Sequence, residues 1–333
     1  MVKKDFCTKP FEEVEIQFGG NVHVCCPNWN NYYSLGSLYE ESFENIWNSE
    51  KAIELRKRIM NNDYSLCDTK RCPYLNGEEF NSKYDLDYQC KMPESPKVVR
   101  LSYDYECNII CRICRNHIRR LSDEELEVLN SKIDSFFIPI LKDADILFIN
   151  GGGDPFGARH SRLLIKKAVE QLPNLKFDFH TNGLLFNEWN FKDLNLTPER
   201  IETIRISIHA ATKETYGRIV EGGEELFPKI IENIKFLNEL RKIKRFDICV
   251  NFVICSKNYT EIPKFIELAE GLDVSPYFWE FRLENCTYEN PEHFSVFRED
   301  DPDYPKLLEI LKHPKIKEYK LHFSPVFQAL IEK

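Results

Sequence analysis

The residues in this sequence best suited to chemistry are three cysteines in one short run. Cys107, Cys111 and Cys114 occur in CNIICRIC, with three and then two residues between them. Thiolates at this spacing can converge on one small cluster from a single loop, and iron–sulfur clusters are commonly held by four thiolates. Three ligands would leave one iron open to a substrate, much as a catalytic zinc keeps an open position. A structural zinc site completed by a distant ligand is the alternative interpretation.

Cysteine usage in the chain as a whole also indicates metal binding rather than disulfide bonds. The chain has 12 cysteines, and its N-terminus, MVKKDFCTKPFEEVE, lacks the apolar stretch of a secretory signal. We therefore expect a cytoplasmic protein, in which thiols stay reduced and clustered cysteines indicate a metal site or catalysis. The scattered cysteines Cys249, Cys255 and Cys286 are more typical of ordinary buried thiols.

Composition narrows the classes of partner. The chain has 333 residues, of which 42% are hydrophobic and 30% charged, so it can form a globular fold with a sizeable core. Its formal net charge of −9 argues against non-specific nucleic-acid binding, which needs clustered lysine and arginine. No run of 18 apolar residues is present, so we predict no membrane span and no membrane partner.

From Lys97 onward the hydrophobic pattern alternates between strands and helices. Strand patterns cover residues 97–103, 145–150, 175–180, 203–209, 246–255 and 277–283. Repeated strand–helix units predict an α/β fold with a parallel sheet, and six units match an incomplete (β/α)6 barrel. The chemistry of barrel folds lies at the C-terminal ends of the strands. The cysteine run, the glycines at 151–153 and Asn182 all follow predicted strands directly.

The N-terminal stretch has a different character. The run VEIQFGGNVHVCC (14–26) predicts a β-hairpin with a glycine turn, and residues 42–61 predict a helix. Cys67 and Cys72 follow, and residues 76–96 have the composition of a linker. A unit with so little core usually needs a metal or a disulfide. We therefore predict two domains, a small one over 1–95 and a barrel with a C-terminal extension over 96–333.

The motifs together resemble the radical SAM superfamily across residues 97–283. CNIICRIC is similar to the family's CxxxCxxC motif, GGGDP (151–155) to its GGEP motif with Asp in place of Glu, and TNG (181–183) to the segment after its third strand. Residues 204–237 resemble the fourth-strand segment of peptide-modifying members, although His209 replaces an expected Asp. The resemblance implies that SAM-contacting residues are Gly151, Gly152, Gly153, Asp154, Asn182, Ser207 and Arg218.

The resemblance also implies the cofactors and the reaction. A 4Fe–4S cluster on Cys107, Cys111 and Cys114 would bind S-adenosyl-L-methionine through its open iron. One electron, from a donor such as flavodoxin or ferredoxin, would then cleave SAM to a 5′-deoxyadenosyl radical. That radical would abstract hydrogen from a substrate, and the protein would supply position and exclude water.

The N-terminal cysteines resemble a second module of the same enzymes. Cys7, Gly20 and Cys25 have the spacing that opens SPASM and Twitch domains, which hold an auxiliary 4Fe–4S cluster. Those domains usually follow the barrel, whereas here the similar segment precedes it. The implied ligands are Cys7, Cys25, Cys67 and Cys72. Cys26 could replace Cys25, and a zinc ion on the same four thiolates remains the alternative.

The substrate is open to three hypotheses at this stage. The first is a peptide or protein that is crosslinked, joined through a thioether, epimerised or oxidised. The second is a sugar or aminocyclitol that is dehydrogenated or rearranged. The third is a non-catalytic iron–sulfur electron-transfer protein, against which the intact SAM motifs argue. Hydrogen donors for a redox-neutral reaction would be Cys249, Cys255, Cys286 and Tyr105.

Overall fold

The computed structural model describes residues 6–75, 84, 86–149, 152–283 and 286–332, and it contains one large open sheet. Six strands are mutually parallel neighbours in chain order, which confirms the α/β fold and the partial barrel. The strands are β1 (Glu13–Gln17), β2 (Asn21–His23), β3 (Gly36–Ser37), β4 (Val98–Ser102), β5 (Ile146–Ile149), β6 (Lys176–Thr181), β7 (Ile201–Ser207), β8 (Asp247–Ile254) and β9 (Ser275–Glu280).

Helices connect the parallel strands, as the sequence pattern predicts. Their bounds are α1 (Lys9–Glu12), α2 (Phe43–Trp47), α3 (Glu50–Met60), α4 (Asp123–Ser131), α5 (Ile138–Leu141), α6 (Arg159–Gln171), α7 (Glu188–Asp193), α8 (Lys213–Ile219), α9 (Gly223–Ile243), α10 (Ile262–Gly271), α11 (Tyr304–Leu311), α12 (Pro314–Glu318) and α13 (Pro325–Ile331). A π-helical turn, Ile133–Phe137, joins α4 to α5. None of the described helices has both the length and the apolar composition needed to cross a bilayer.

Serine caps determine where three of the helices begin. Ser122 and Glu125 form a capping box at the start of α4. The single helix predicted over 42–61 is wrong, because the segment forms α2 and α3 with a break between them. Ser49 accepts a hydrogen bond from the Ala52 amide and starts a second helix there, as Ser42 starts the first.

The N-terminal strands belong to the same sheet as the barrel. The sheet order is β3-β2-β1-β4-β5-β6-β7-β8-β9, and β1 pairs with β4 in parallel while β2 is antiparallel to β1. The predicted hairpin is therefore confirmed, and it extends the first-strand edge of the barrel. The boundary at 95/96 stays a prediction, and most of the predicted linker (76–83 and 85) lies outside the described residues.

The two faces of the sheet differ in chemistry because side chains alternate along each strand. One face is apolar and packs against helices, with fully buried rings such as Phe252 on β8 contacting Phe265 on α10 at a centroid distance of 4.6 Å. The other, which we call the polar face, carries hydrogen-bonded and charged side chains from several strands. They are Glu15, Arg100, Asp178, His180, Arg205, Ser207, Asn251 and Trp279.

Candidate functional site

The loop that carries Cys107, Cys111 and Cys114, here the cluster loop, follows β4 at the C-terminal edge of the parallel strands. A tight turn brings the last two cysteines together, because the Cys114 amide donates to the Cys111 carbonyl at 2.8 Å. All three thiols are half-buried, and burial raises the pKa of Cys107 and Cys111 above the ordinary thiol value. Such thiols become thiolates when a positive metal centre binds them.

Two distant segments fix the outer side of the cluster loop. Cys111 forms a β-bridge with Val220, and the Arg112 amide donates to the Ile219 carbonyl at 2.8 Å. On the other side, the Thr287 amide donates to the Cys114 carbonyl at 2.7 Å. The cluster loop follows β4, but the segments after β7 and β9 hold it in place. The position of the three cysteines therefore depends on contacts between distant parts of the chain.

A cation lies directly beside one of the thiols. Arg115 donates from Nε and Nη2 to Cys114 Sγ, both at 3.3 Å, and from Nη1 to the Tyr105 carbonyl at 2.9 Å. Contacts of this kind stabilise negative charge on a sulfur atom. Arg115 therefore provides part of the electrostatic environment that an anionic cluster requires.

The glycine loop after β5 packs against the backbone just before the first cysteine. A Cβ on Gly153 would lie 2.1 Å from the Glu106 carbonyl oxygen, and a Cβ on Gly152 would lie 1.9 Å from a Tyr105 ring carbon. The two segments touch so closely that only glycine fits. Gly151, the first predicted glycine, lies outside the described residues.

Asp154 joins the loops that follow β5 and β6. Its carboxylate accepts from Thr181 Oγ1 at 2.7 Å and from the Asn182 amide at 2.8 Å on one oxygen. The other oxygen accepts from the amides of Phe156 and Gly157 at 3.0 and 3.1 Å. Burial raises the pKa of Asp154, and these four hydrogen bonds act in the opposite direction. The carboxylate is thus committed to protein groups, which leaves the loop backbone as the part that can meet a ligand.

Asn182 connects this junction to the cluster loop. Its side-chain nitrogen donates to Asn108 Oδ1 at 2.8 Å and lies 3.9 Å from Cys107 Sγ. The structure therefore brings Gly152, Gly153, Asp154 and Asn182 to the cluster loop. Their SAM contacts stay a prediction.

The other two predicted SAM contacts lie farther along the chain and differ from each other. Ser207 ends β7 on the polar face, where its hydroxyl and His180 Nε2 lie 2.8 Å apart. Arg218 is exposed on α8, and its carbonyl accepts a hydrogen bond from Arg112 Nη1 at 2.9 Å. His209, which follows β7, has a positive φ of 60° and accepts from the Val253 amide at 3.0 Å, so it fastens β7 to β8. Burial lowers the pKa of His209 to about 3.

The buried hydroxyl of Tyr216 bears on whether a cluster or ligand can bind beside the cluster loop. Its side chain is fully buried on α8, one helical turn before Val220, and its hydroxyl has no hydrogen-bond partner among the described residues. An orphaned buried hydroxyl costs about 1–3 kcal/mol. A cluster or ligand in the adjoining space would give it an acceptor, so the residues present fit such a group.

The four predicted N-terminal ligands meet at one cavity, here the auxiliary cavity. Cys7, Cys25, Cys67 and Cys72 all line it, with aromatic and aliphatic neighbours. Cys26 is not among the lining residues. Burial raises the pKa of Cys7 to about 12 and that of Cys67 to about 11. In the described part of the chain, no three His, Cys, Asp or Glu side chains are grouped closely enough to hold a single metal ion.

The two cysteine groups lie at opposite ends of the parallel strands. Cys7 precedes β1, and Cys25 follows β2 at the level of Glu13, because Glu15 pairs with His23 across the hairpin. Since β1 and β4 are parallel, this is the N-terminal edge, whereas the cluster loop is at the C-terminal edge. A five-residue strand spans roughly 15 Å.

Sequence reasoning missed several residues that the structure places at these sites. Arg205 donates to Asp178 on the polar face, and His180 and Asn251 are in contact there. The alternation of polar residues in FDFH and TIRISIH is the signal that indicates this face. Nothing local marks Tyr216 or Asn30, because their roles depend on neighbours that are distant in sequence.

Comparisons with known proteins found one family model and several relatives that are similar to this chain. A family model described as SPASM, an iron–sulfur cluster-binding domain, matches residues 7–73. A probable GTP 3′,8-cyclase of Saccharolobus islandicus is 29% identical over 179 residues, which cover 53% of this chain and 54% of that protein. The FeMo cofactor biosynthesis protein NifB of Methanocaldococcus infernus is 26% identical over 68% of this chain and 78% of its own length. The chain thus spans about half the length of the cyclases it matches.

Solved structures are similar at a lower level. Streptococcus suis SuiB bound to S-adenosylmethionine gives a TM-score of 0.43 at 14% identity, covering 69% of this chain and 50% of that one. The solved structure of anSMEcpe with bound AdoMet gives a TM-score of 0.44 at 18% identity, covering 67% of this chain and 57% of that one. Both scores are below 0.5, and the fold described above does not depend on them.

Proposed function

We propose that this chain is a two-cluster radical SAM enzyme that cleaves SAM reductively. The match of residues 7–73 to the SPASM model and the similarity to GTP 3′,8-cyclases and NifB support the proposal. A SAM-binding 4Fe–4S cluster would be held by the cluster loop and an auxiliary 4Fe–4S cluster by the auxiliary cavity. When bound, these groups supply a 5′-deoxyadenosyl radical at one edge of the sheet and an electron acceptor at the other. The observation that carries the proposal is the cluster loop itself, held at the C-terminal edge beside Gly153, Asp154 and Asn182.

The chain's own residues have distinct tasks in this proposal. Arg115 stabilises negative charge on Cys114. Asp154 holds the glycine loop and Asn182 in register with the cluster loop, so that their backbone can meet the methionine part of SAM. Exposed Arg218 provides a cation for a carboxylate. Accurate positioning matters because the radical must be formed next to one hydrogen of the substrate and no other.

The auxiliary site suits an oxidative outcome. After hydrogen abstraction, a substrate radical that loses one electron and one proton becomes an oxidised product. In this proposal the substrate binds on the polar face, and the auxiliary cluster would accept that electron. Among the candidate hydrogen donors for a redox-neutral reaction, Cys249 is on β8 in register with Arg205 of the polar face, whereas Cys255 is fully buried.

We propose a peptide or protein segment as the substrate, to be crosslinked, joined by a thioether, epimerised or oxidised. The support is the resemblance of residues 204–237, which form the end of β7, all of α8 and most of α9, to peptide-modifying enzymes. A sugar or aminocyclitol is the second candidate. The polar face favours it, because Asp178, His180 and Asn251 offer acceptors and donors that suit a polyol. The cyclase relatives extend that second candidate to nucleotides.

The reaction class can be tested by 5′-deoxyadenosine release. Anaerobically reconstituted protein with SAM and a strong reductant should release it, and should hold about eight iron atoms per chain as two 4Fe–4S clusters. Replacing Cys107, Cys111 and Cys114 by Ala should abolish release and leave about four iron atoms. The control is Cys90→Ala, which alters a half-buried thiol outside both groups. Release by the triple variant would refute the site assignment, and zinc in place of iron at the N-terminal site would refute the auxiliary cluster.

Substrate class can be tested by deuterium transfer. Candidate peptides, nucleotides and aminocyclitols with deuterium on carbon are each incubated with the enzyme, and deuterated 5′-deoxyadenosine is measured. Transfer from a peptide supports the first candidate, and transfer only from a hydroxylated small molecule supports the second. Replacing Arg218 by Ala should weaken SAM binding in a direct titration; unchanged affinity would remove Arg218 from the site.

A further inference from the structure

We infer that the side-chain amide of Asn30 donates a hydrogen bond to a sulfur atom of the auxiliary cluster and thereby raises the reduction potential of that cluster. The inference rests on the auxiliary cluster proposed above. It assigns a function to a residue that lies outside the cysteine pattern.

Asn30 is an unusual residue for its surroundings. Its exposed fraction is 1%, and neither its Nδ2 nor its Oδ1 has a hydrogen-bond partner among the described residues. A primary amide buried without partners is strongly disfavoured, and such groups in native proteins point to a missing water, ion or ligand. Asn30 therefore indicates that something polar is normally present next to it.

A partner for the Asn30 side chain would lie in the auxiliary cavity. Asn30 lines the auxiliary cavity together with the four cysteines. Most of the remaining lining is apolar or aromatic, including Val24, Leu55, Ile59 and Leu75. The cationic Lys9 also lines the cavity, but it is engaged with Glu13 at 2.5 Å. An acceptor for the Asn30 amide must therefore come from what fills the cavity.

The backbone holds Asn30 in this position and leaves only its side chain available. The Asn30 amide donates to the Pro27 carbonyl at 3.3 Å, and its carbonyl accepts from Tyr33 at 2.9 Å. The preceding carbonyl, that of Trp29, accepts from the Asp68 amide at 2.9 Å, which ties this turn to the loop between Cys67 and Cys72. Main-chain hydrogen bonds thus hold Asn30 between the segment that follows Cys25 and the loop between Cys67 and Cys72. None of these bonds involves its side-chain amide.

The consequence for redox chemistry follows from charge. Reduction adds one negative charge to a cluster, and an N–H dipole aimed at a sulfur stabilises that charge. Hydrogen bonds to sulfur are one of the main determinants of cluster potential. A donor in a mostly apolar cavity makes the cluster a better electron acceptor, which is the property that an oxidative reaction needs.

The test uses full-length protein in the Cys107, Cys111 and Cys114 to Ala background, so that only the auxiliary cluster is observed. Asn30→Leu removes the amide at similar volume, and Asn30→Asp keeps the shape but replaces the donor with a negative charge. Asn28→Ala is the matched control, since Asn28 lies in the same turn, bonds to Tyr32 and does not line the cavity. Midpoint potentials are measured by redox titration followed by electron paramagnetic resonance.

Both Asn30 variants should keep four iron atoms and shift the midpoint to more negative potential, with the larger shift for Asn30→Asp. Asn28→Ala should retain the parent potential. Equal potentials in all four proteins, or loss of iron from both Asn30 variants with retention in the control, would overturn the tuning role.

A second measurement needs no substitution at Asn30. The parent variant is labelled with ¹⁵N-asparagine and its reduced cluster is examined by pulsed electron paramagnetic resonance. A hyperfine coupling to ¹⁵N supports the hydrogen bond, and its absence contradicts it. Absence of any iron in the parent would instead refute the auxiliary cluster itself, so the two failures can be told apart.

Discussion

Replacing Gly153 by Ala should separate the glycine loop from the segment that leads into Cys107. The new Cβ would lie 2.1 Å from the Glu106 carbonyl oxygen and 2.7 Å from that of Asp104. Both contacts are with backbone, so no side-chain rotation relieves them. Ordinary contact begins near 3.4 Å, and the two segments must therefore move apart by about 1.3 Å.

The magnitude follows from two contributions. Overpacking of a tight contact costs about 1–3 kcal/mol. The movement also strains the bond from the Asp154 amide to the Glu106 carbonyl, 2.8 Å long, whose loss costs about 1 kcal/mol. We expect Gly153→Ala to lower the free energy of unfolding by about 2–4 kcal/mol and, in a chain of 333 residues, the melting midpoint by roughly 3–6 °C. Iron at the cluster loop should fall as well, because Cys107 directly follows Glu106.

Melting followed by circular dichroism and iron analysis of reconstituted protein are the assays. Gly271→Ala, at the end of α10, is the matched control, because its Cβ would meet nothing within 4 Å. Alanine there should be neutral or stabilising by up to about 1 kcal/mol, since Gly weakens helices. A Gly153→Ala protein that melts with this control and keeps its full iron content would refute the close-approach argument.

Three further outcomes are expected. His160 is fully buried, and burial lowers its pKa to about 4, so between pH 6.5 and 4 only the unfolded chain takes up a proton at this residue. The contribution of His160 to stability should be complete above pH 6.5, and the free energy of unfolding should fall by up to about 3 kcal/mol toward pH 4. A His160→Gln variant whose urea midpoint falls as steeply with pH as that of the parent would contradict this. Tyr216→Phe should stabilise the cluster-free chain by about 1 kcal/mol in urea unfolding, because it removes an orphaned hydroxyl; destabilisation would show that the hydroxyl has a partner. Ser122→Ala should cost about 1 kcal/mol through loss of the α4 cap, measured by thermal melting, and no change would show that the cap is redundant.

Much of the fold could be predicted because its signals are local. Six strand patterns between 97 and 283 became the parallel strands β4–β9 in chain order. The glycine hairpin was confirmed for the same reason, since it depends on residues a few positions apart. The break between α2 and α3 was missed, although Ser49 marks it, because the apolar periodicity continues across it.

The sequence by itself determined which residues are candidates to bind metal and which strand each of them follows, since cysteine spacing and strand order are properties of the chain. Only the tertiary structure decided how those groups relate in space. The parallel pairing of β1 with β4 puts the two cysteine groups at opposite edges of one sheet, although they belong to neighbouring parts of the chain. The same folding placed Asn30 beside four cysteines and Tyr216 beside the bridge to Cys111. These contacts depend on strand pairing and close packing across long sequence distances, which no local pattern encodes.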